Sequence, residues 1–449
     1  MLLFLLVLLL FLTLLANYRA SEHVLVAPSV IFAGSFCLSS FWALMYAGKW
    51  NLDLHMNTFL VILLGTLEFS LIAYVFHVFY PKRSLPDFEE NVEVNSVNIN
   101  TWKIIVIVLF EIAVMVLTLK AVRNIVPDGS ISQAIYAYRS QVIDPVKSLS
   151  LKSLPRIVVL SRAFTDAIGY FFAYLSVKDL ILMKKFNIKY IFPFIFAMAN
   201  GLMLGSRGST MMLLLSALIY SYCLFMKKNK WNGSRNSRIM LIAFAIFVVI
   251  AVSFQSLASL LGRNVSQFSG GDYLAIYLGA EIKNLDTFLQ SNIMPVQHGI
   301  IGGQTFINLN STFSKVFGLR DSKYSLNLPF LTVNGYSLGN VYTAFYSYIV
   351  DFGYVGVPIL VGIMSIISQF SFEKMRRFSV EGSVPLSVLI YGRIATALVF
   401  VFFSNKFYED IFTLTFIRMI VFWVILNWFL FGSKGNPFKL IHKLRLEHN

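Results

Sequence analysis

The sequence predicts an all-α polytopic membrane protein, and three observations carry that reading. Apolar runs of about 18 to 25 residues recur from Met1 to Phe431, each long enough as a helix to cross a hydrocarbon core of roughly 30 Å. The segment 262–339, by contrast, is polar, weakly charged and rich in Gly, Ser and Asn. With 57% hydrophobic and 13% charged residues and a mean hydropathy of +0.71, the 449-residue chain has too little polar surface for a soluble globule.

In lipid a segment must satisfy its own backbone, so each run reads as a transmembrane helix. About 11 are expected, near residues 1–17, 25–47, 58–80, 103–120, 156–177, 188–205, 209–226, 239–261, 352–372, 384–403 and 410–431. The first lacks the basic flank and small-residue cleavage site of a signal peptide, and is read as a span. Lys and Arg accumulate in cytoplasmic loops, and Lys227, Lys228, Lys230, Arg235 and Arg238 have no acid among them. Counting outward from that loop puts Lys184 to Lys189, Lys374 to Arg377 and the Lys434 to Arg445 tail inside as well. The N-terminus, 121–155 and 262–339 are then external.

The organisation is therefore an N-terminal set of transmembrane helices in 1–261, a large external loop with short amphipathic helices in 262–339, and C-terminal helices plus a cytoplasmic tail in 340–449. The net charge of +15 reads as topology and contact with anionic membrane lipids, and no nucleic-acid partner is expected. Cys37 and Cys223 lie in apolar runs, so neither a disulfide nor thiol chemistry is expected. The chain has no HExxH, CxxC, GxSxG or phosphate-loop pattern, and no metal or cofactor is expected.

Charges in or beside the membrane on the external side are the informative residues. Gly205-Ser206-Arg207-Gly208-Ser209 joins two spans at the outer surface. Arg207 there either snorkels to lipid phosphates or forms an anion seat. Arg162 and Asp166 stand i, i+4 on one helix face, as a mutual ion pair or as the lining of a wet cavity. Glu68, Glu111, Arg393 and Arg418 are also intramembrane; for Glu68 and Glu111 an arginine partner is as natural as catalysis.

Only His55 and His298 among the histidines face outward, and His298, in a Gly-rich segment, is either idle in solvent or a proton acceptor. The external loop also holds Arg263, Asp272, Glu281, Lys283, Asp286, Arg320, Asp321 and Lys323. Residues 273–289 have helical apolar spacing and predict an amphipathic helix that could roof a cavity. Asn340, Tyr342, Thr343, Tyr346 and Tyr348 lead towards Asp351 on a polar, aromatic helix suited to sugar rings or to an interfacial belt.

The Gly205-Ser206-Arg207-Gly208 turn, the large late loop, and Gly339-Asn340-Val341-Tyr342-Thr343-Ala344-Phe345 followed by Asp351-Phe352-Gly353-Tyr354-Val355-Gly356 together resemble Wzy-type O-antigen polymerases. The resemblance implies a bacterial inner-membrane glycosyltransferase with a periplasmic active face. It implies, as substrate, undecaprenyl-pyrophosphate-linked oligosaccharide repeat units, and a chain-length regulator as a further partner. The leaving group would be a pyrophosphate, for which arginine forks supply the countercharge in place of a metal. Arg207 and Arg162 are assigned to it, with Arg139, Arg263 or Arg320 at the mouth. His298 and Asp351 are the expected bases, with Asp272 and Asp286 behind them, and Asn340, Tyr342 and Tyr346 the expected sugar contacts. A flippase for the same lipid-linked oligosaccharides, which needs no large external loop, and an O-antigen ligase, which shares the arginine chemistry, are the alternatives.

Overall fold

The computed structural model describes residues 1–81, 99–127, 129–144, 153–233, 271–291, 301–317 and 328–432. The regular secondary structure of the described chain is almost entirely helical. The N-terminal helices are α1 (Leu2–Ala20), α2 (Pro28–Met45), α3 (Met56–Phe79), α4 (Thr101–Ile125), α5 (Ile131–Ile143), α6 (Arg156–Met183), α7 (Ile188–Leu202) and α8 (Gly208–Lys228). The late loop contributes α9 (Asp272–Leu278), α10 (Ala280–Ser291), α11 (Ile307–Phe317) and the strands β1 (Thr332–Val333) and β2 (Tyr336–Ser337). They are followed by α12 (Thr343–Phe352), α13 (Gly356–Arg376), α14 (Leu386–Val399), α15 (Lys406–Ile411) and α16 (Leu414–Phe431).

Among the described residues, eight helices are long and apolar enough to cross a membrane: α1 to α4, α6, α8, the α12–α13 stretch Thr343–Arg376, and α16. Their outward faces are apolar, as lipid requires: Leu64, Leu67 and Leu71 project from α3, and Ile359, Ile363 and Ile366 from α13. The expected span at 239–261 lies outside the described residues. Two further apolar helices, α7 and α14, have only 15 and 14 residues.

One core surrounds Phe171, Phe172, Tyr174, Tyr220, Tyr391 and Trp423, where Trp423 Nε1 donates to the Ala167 carbonyl at 3.0 Å. A glycine is needed there: a Cβ on Gly392 would stand 2.2 Å from the Tyr220 ring, so its absence lets α14 lie against α8. A second large core gathers Phe32, Phe36, Phe69 and Phe345 beneath the late loop.

The connections group at two ends of the bundle. The basic end carries Lys227, Lys228, Lys374 and Arg376, and Lys103 donates to the Phe429 and Leu430 carbonyls at 2.6 and 3.2 Å, a cation on the last turn of α16. At the opposite, loop-rich end the helix expected over 273–289 is broken at Gly279 into α9 and α10. The reason is steric: a Cβ at Gly279 would lie 2.6 Å from the Ala43 amide nitrogen, so the backbone packs directly on the end of α2.

This roof is tied down by polar side chains. Lys49 pairs with Asp272 at 2.8 Å, and Asn284 Nδ2 donates to the Leu338 and Val341 carbonyls at 3.2 and 2.8 Å. Asp286 accepts from the His55 amide at 3.0 Å and the Thr58 hydroxyl at 2.7 Å, and meets His55 Nδ1 at 2.9 Å. It thereby caps the start of α3. A two-residue Asn334-Gly335 turn, both residues at positive φ, closes the β1–β2 hairpin.

Glu281, on α10, is fully buried, and its carboxyl oxygens have no hydrogen-bond partner among the described residues. Burial pushes this carboxyl well above the usual carboxylate range. A raised folded-state value binds a proton that the unfolded chain has already released, so stability is lost as pH climbs from about 4.3 towards the folded value. Glu281→Gln is therefore expected to raise the melting temperature in detergent, by more at pH 8 than at pH 5. An equal shift at both values would contradict a protonated Glu281.

Candidate functional site

Two of the bundle's apolar helices stop short. At 1.5 Å per residue α7 and α14 span about 22 and 21 Å, against a hydrocarbon core of roughly 30 Å. Both begin at the basic end, so both fall short at the loop-rich end. Irregular backbone at membrane depth persists where it lines a polar recess. The 203–207 turn after α7, and residues 400–405 with α15 after α14, fill this position.

Charged side chains collect there. Arg162, Asp166 and Tyr170 stand at i, i+4 and i+8 on one face of α6. Arg162 Nη1 donates to the Asn200 carbonyl at the end of α7 at 2.9 Å. Arg393, from α14, donates to the Tyr170 hydroxyl at 3.1 Å and pairs with Asp410 of α15 at 3.1 Å. Lys406 pairs with Glu409 at 2.6 Å along α15. Asp166 sits within the electrostatic reach of Arg162, Arg393 and Asp410. Arg162, Asp166, Arg393, Lys406 and Asp410 all keep accessible surface despite their position inside the bundle, so they line a recess.

Arg207 closes one side. It is the N-cap residue of α8 and is 8% exposed; Nη2 donates to the Tyr273 and Tyr277 hydroxyls at 2.9 and 3.2 Å, with the guanidinium 5.6 and 5.3 Å from the two ring centres. Tyr277 in turn stacks on Phe403 at 6.1 Å. Roof helix α9 thus links Arg207 to the turn after α14. Arg139, on α5, packs on the same 203–207 turn: Gly205 has φ +68, and a Cβ there would lie 2.8 Å from Arg139 Cβ.

The structure therefore places Arg139, Arg162 and Arg207 around one turn. Arg162 and Asp166 are not in ion-pair contact; the wet-cavity reading of that pair fits the geometry better than a mutual lock. Glu111 is fully buried and has no arginine partner among the described residues, against one of the two readings of its sequence position. Arg418 is exposed on the outer face of α16.

Asp351 is elsewhere. Its two oxygens accept from the Gln304 amide at 3.1 Å and from the Thr305 amide, and the same turn holds α15, since Asn405 donates to the Thr305 carbonyl and Asn308 to that of Glu409, both at 2.8 Å. Its visible role is to position α15. Tyr342 and Tyr346 are 8% and 5% exposed; Tyr346 packs on Phe288 at 4.6 Å and on Tyr342 at 5.0 Å, and the Tyr342 hydroxyl donates to the Pro329 carbonyl at 2.9 Å. These rings hold α10 against α12 and leave little face for a sugar. Asn340 lies just before α12, half-buried. Next to it Thr343, a β-branched residue at φ +62, turns the Ala344 amide onto the Val401 carbonyl at 2.9 Å, satisfying backbone just past the end of the short α14.

His298, Arg263 and Arg320 lie outside the described residues. Sequence reasoning missed Lys406, Asp410, Tyr273 and Tyr277 as parts of the site and left Arg393 unassigned. The tyrosines did carry a signal, two hydroxyl-bearing rings at i, i+4 on the roof helix. No protein-family model matches the chain, and no curated protein or solved structure matches it either.

Proposed function

We propose that the chain is a metal-independent polysaccharide polymerase of the bacterial inner membrane. It joins undecaprenyl-pyrophosphate-linked oligosaccharide repeat units on the periplasmic face, and undecaprenyl pyrophosphate leaves as the new glycosidic bond forms. The observation that carries this reading is the recess at the ends of the two short helices, lined by Arg162, Arg393 and Lys406 and flanked by Arg207. Of these cations Arg393 and Lys406 are matched by Asp410 and Glu409, whereas Arg162 has no carboxylate at ion-pair distance among the described residues. Countercharge is thus available at a depth where a lipid-borne anion travels.

The basic end faces the cytoplasm on the positive-inside rule, which turns the recess outward. Arg162 and Arg207 take the pyrophosphate, and preorganised forks of this kind stabilise the charge that develops as the anomeric bond breaks. Arg139 stands at the rim.

The test is deletion of the gene in its host, with lipopolysaccharide resolved on a gel and complementation by wild type and by Arg207→Ala. A core capped with a single repeat unit, converted to a ladder by wild type and not by a well-inserted Arg207→Ala, is the expected result. Bare core would identify a ligase, units trapped on the cytoplasmic leaflet a flippase, and an unaltered ladder would remove polymerisation from consideration.

A further inference from the structure

The polymerase reading needs a base for the acceptor hydroxyl, and we infer that Asp166 is that catalytic residue; the inference rests on that reading. Three carboxylates stand at the recess: Asp166 and Asp410 line it, and Glu409 is buried beside it. Asp410 is ion-paired with Arg393, and Glu409 with Lys406. Asp166 alone of the three has neither a hydrogen bond nor an ion pair among the described residues, and it keeps accessible surface. Lone pairs that no described residue uses are what a proton acceptor has to offer.

Its position supports the role. Asp166 is ten residues into α6, about 15 Å along the axis, level with the recess rather than the rim. Arg162 stands one turn above it towards the loop-rich end and Tyr170 one turn below. Arg393 from α14, Asp410 from α15 and Arg162 act on it electrostatically, Tyr138 of α5 lies beside Arg162, and Lys406 and Glu409 complete the charged surroundings. A pyrophosphate on Arg162 therefore places the scissile anomeric carbon within a turn of the carboxylate. Asp351 and Asp286, by comparison, are occupied with backbone amides.

The step balances as a single displacement. The acceptor sugar hydroxyl oxygen attacks the anomeric carbon of the donor, and the bond from that carbon to the pyrophosphate oxygen breaks. The electron pair leaves with undecaprenyl pyrophosphate, and the hydroxyl proton passes to an Asp166 oxygen and then to water. The configuration at the anomeric carbon inverts.

The full-length protein in proteoliposomes, supplied with undecaprenyl-pyrophosphate-linked repeat units, tests this with wild type, Asp166→Asn and Asp166→Glu. Asp166→Asn is expected to polymerise at least about 100-fold more slowly, the range for loss of a general base, with donor affinity within about 3-fold of wild type. Its residual rate should have lost the fall on the acid side of the wild-type pH profile, and Asp166→Glu should recover part of the rate. Asp166→Asn activity near wild type, or rate and affinity falling together in both variants, would overturn the assignment while leaving the polymerase reading standing. A wild-type protein that binds the donor and makes no polymer would overturn the polymerase reading, and the base with it.

Discussion

Replacing Arg393 with methionine is expected to destabilise the protein by about 3 kcal/mol and to abolish activity. The side chains of Arg393 and Asp410 are 12% and 21% exposed, so the pair at 3.1 Å is held largely out of solvent. Methionine fills similar space but leaves the Asp410 carboxylate without its ion-pair partner and the Tyr170 hydroxyl without the Arg393 donor. An uncompensated charge at that depth, rather than the lost attraction, is the main cost. Adding Asp410→Asn removes the charge, so the double variant should melt in detergent close to wild type. Activity should not return, because the recess still lacks one of its cations. A double variant as unstable as Arg393→Met alone would mean that the pair does not set the stability, and Gly392, which seats this stretch of α14 against Tyr220, would be the place to look next.

How much of this was legible in the sequence follows from what the membrane punishes. Long apolar runs have one solution in lipid, which is why α1 to α4, α6, α8, α13 and α16 lie where hydropathy places them. The same logic made Arg162, Asp166 and Arg207 visible, since a charge in or next to such a run is costly unless it has a use. Lys406, Glu409 and Asp410 gave no such signal. Lys406 and Glu409 lie between two apolar runs and Asp410 at the very start of the second, so they read as an ordinary loop; only the early end of α14 draws α15 into the bundle. The tyrosines at 342 and 346 show the reverse error, because a composition suited to sugars is equally suited to packing one roof helix on another. The break at Gly279 was hidden for a related reason. Helical periodicity runs straight through it, and the close approach to Trp42 and Ala43 that forces the break is a tertiary contact.

Arg207→Ala is expected to lower polymerisation by about 100- to 1,000-fold, the size found when a donor to developing negative charge is removed, and Arg207→Lys by about 10-fold. The difference arises from geometry. A guanidinium carries its N–H donors on one rigid planar fork, so Nη2 alone reaches both the Tyr273 and Tyr277 hydroxyls, with the group 5.6 and 5.3 Å from the two ring centres. A lysine ammonium keeps the charge but has three donors on a flexible stem, so it must choose between the tyrosines and the phosphate oxygens. Tyr277→Phe keeps the ring and its stack on Phe403 while removing one acceptor, and should cost only a few-fold. In the proteoliposome assay the loss in Arg207→Lys should fall mainly on kcat if Arg207 acts on the breaking bond, and mainly on KM if it only seats the pyrophosphate. A lysine variant indistinguishable from wild type in both would reduce Arg207 to a diffuse positive charge, and the paired tyrosines to roof packing.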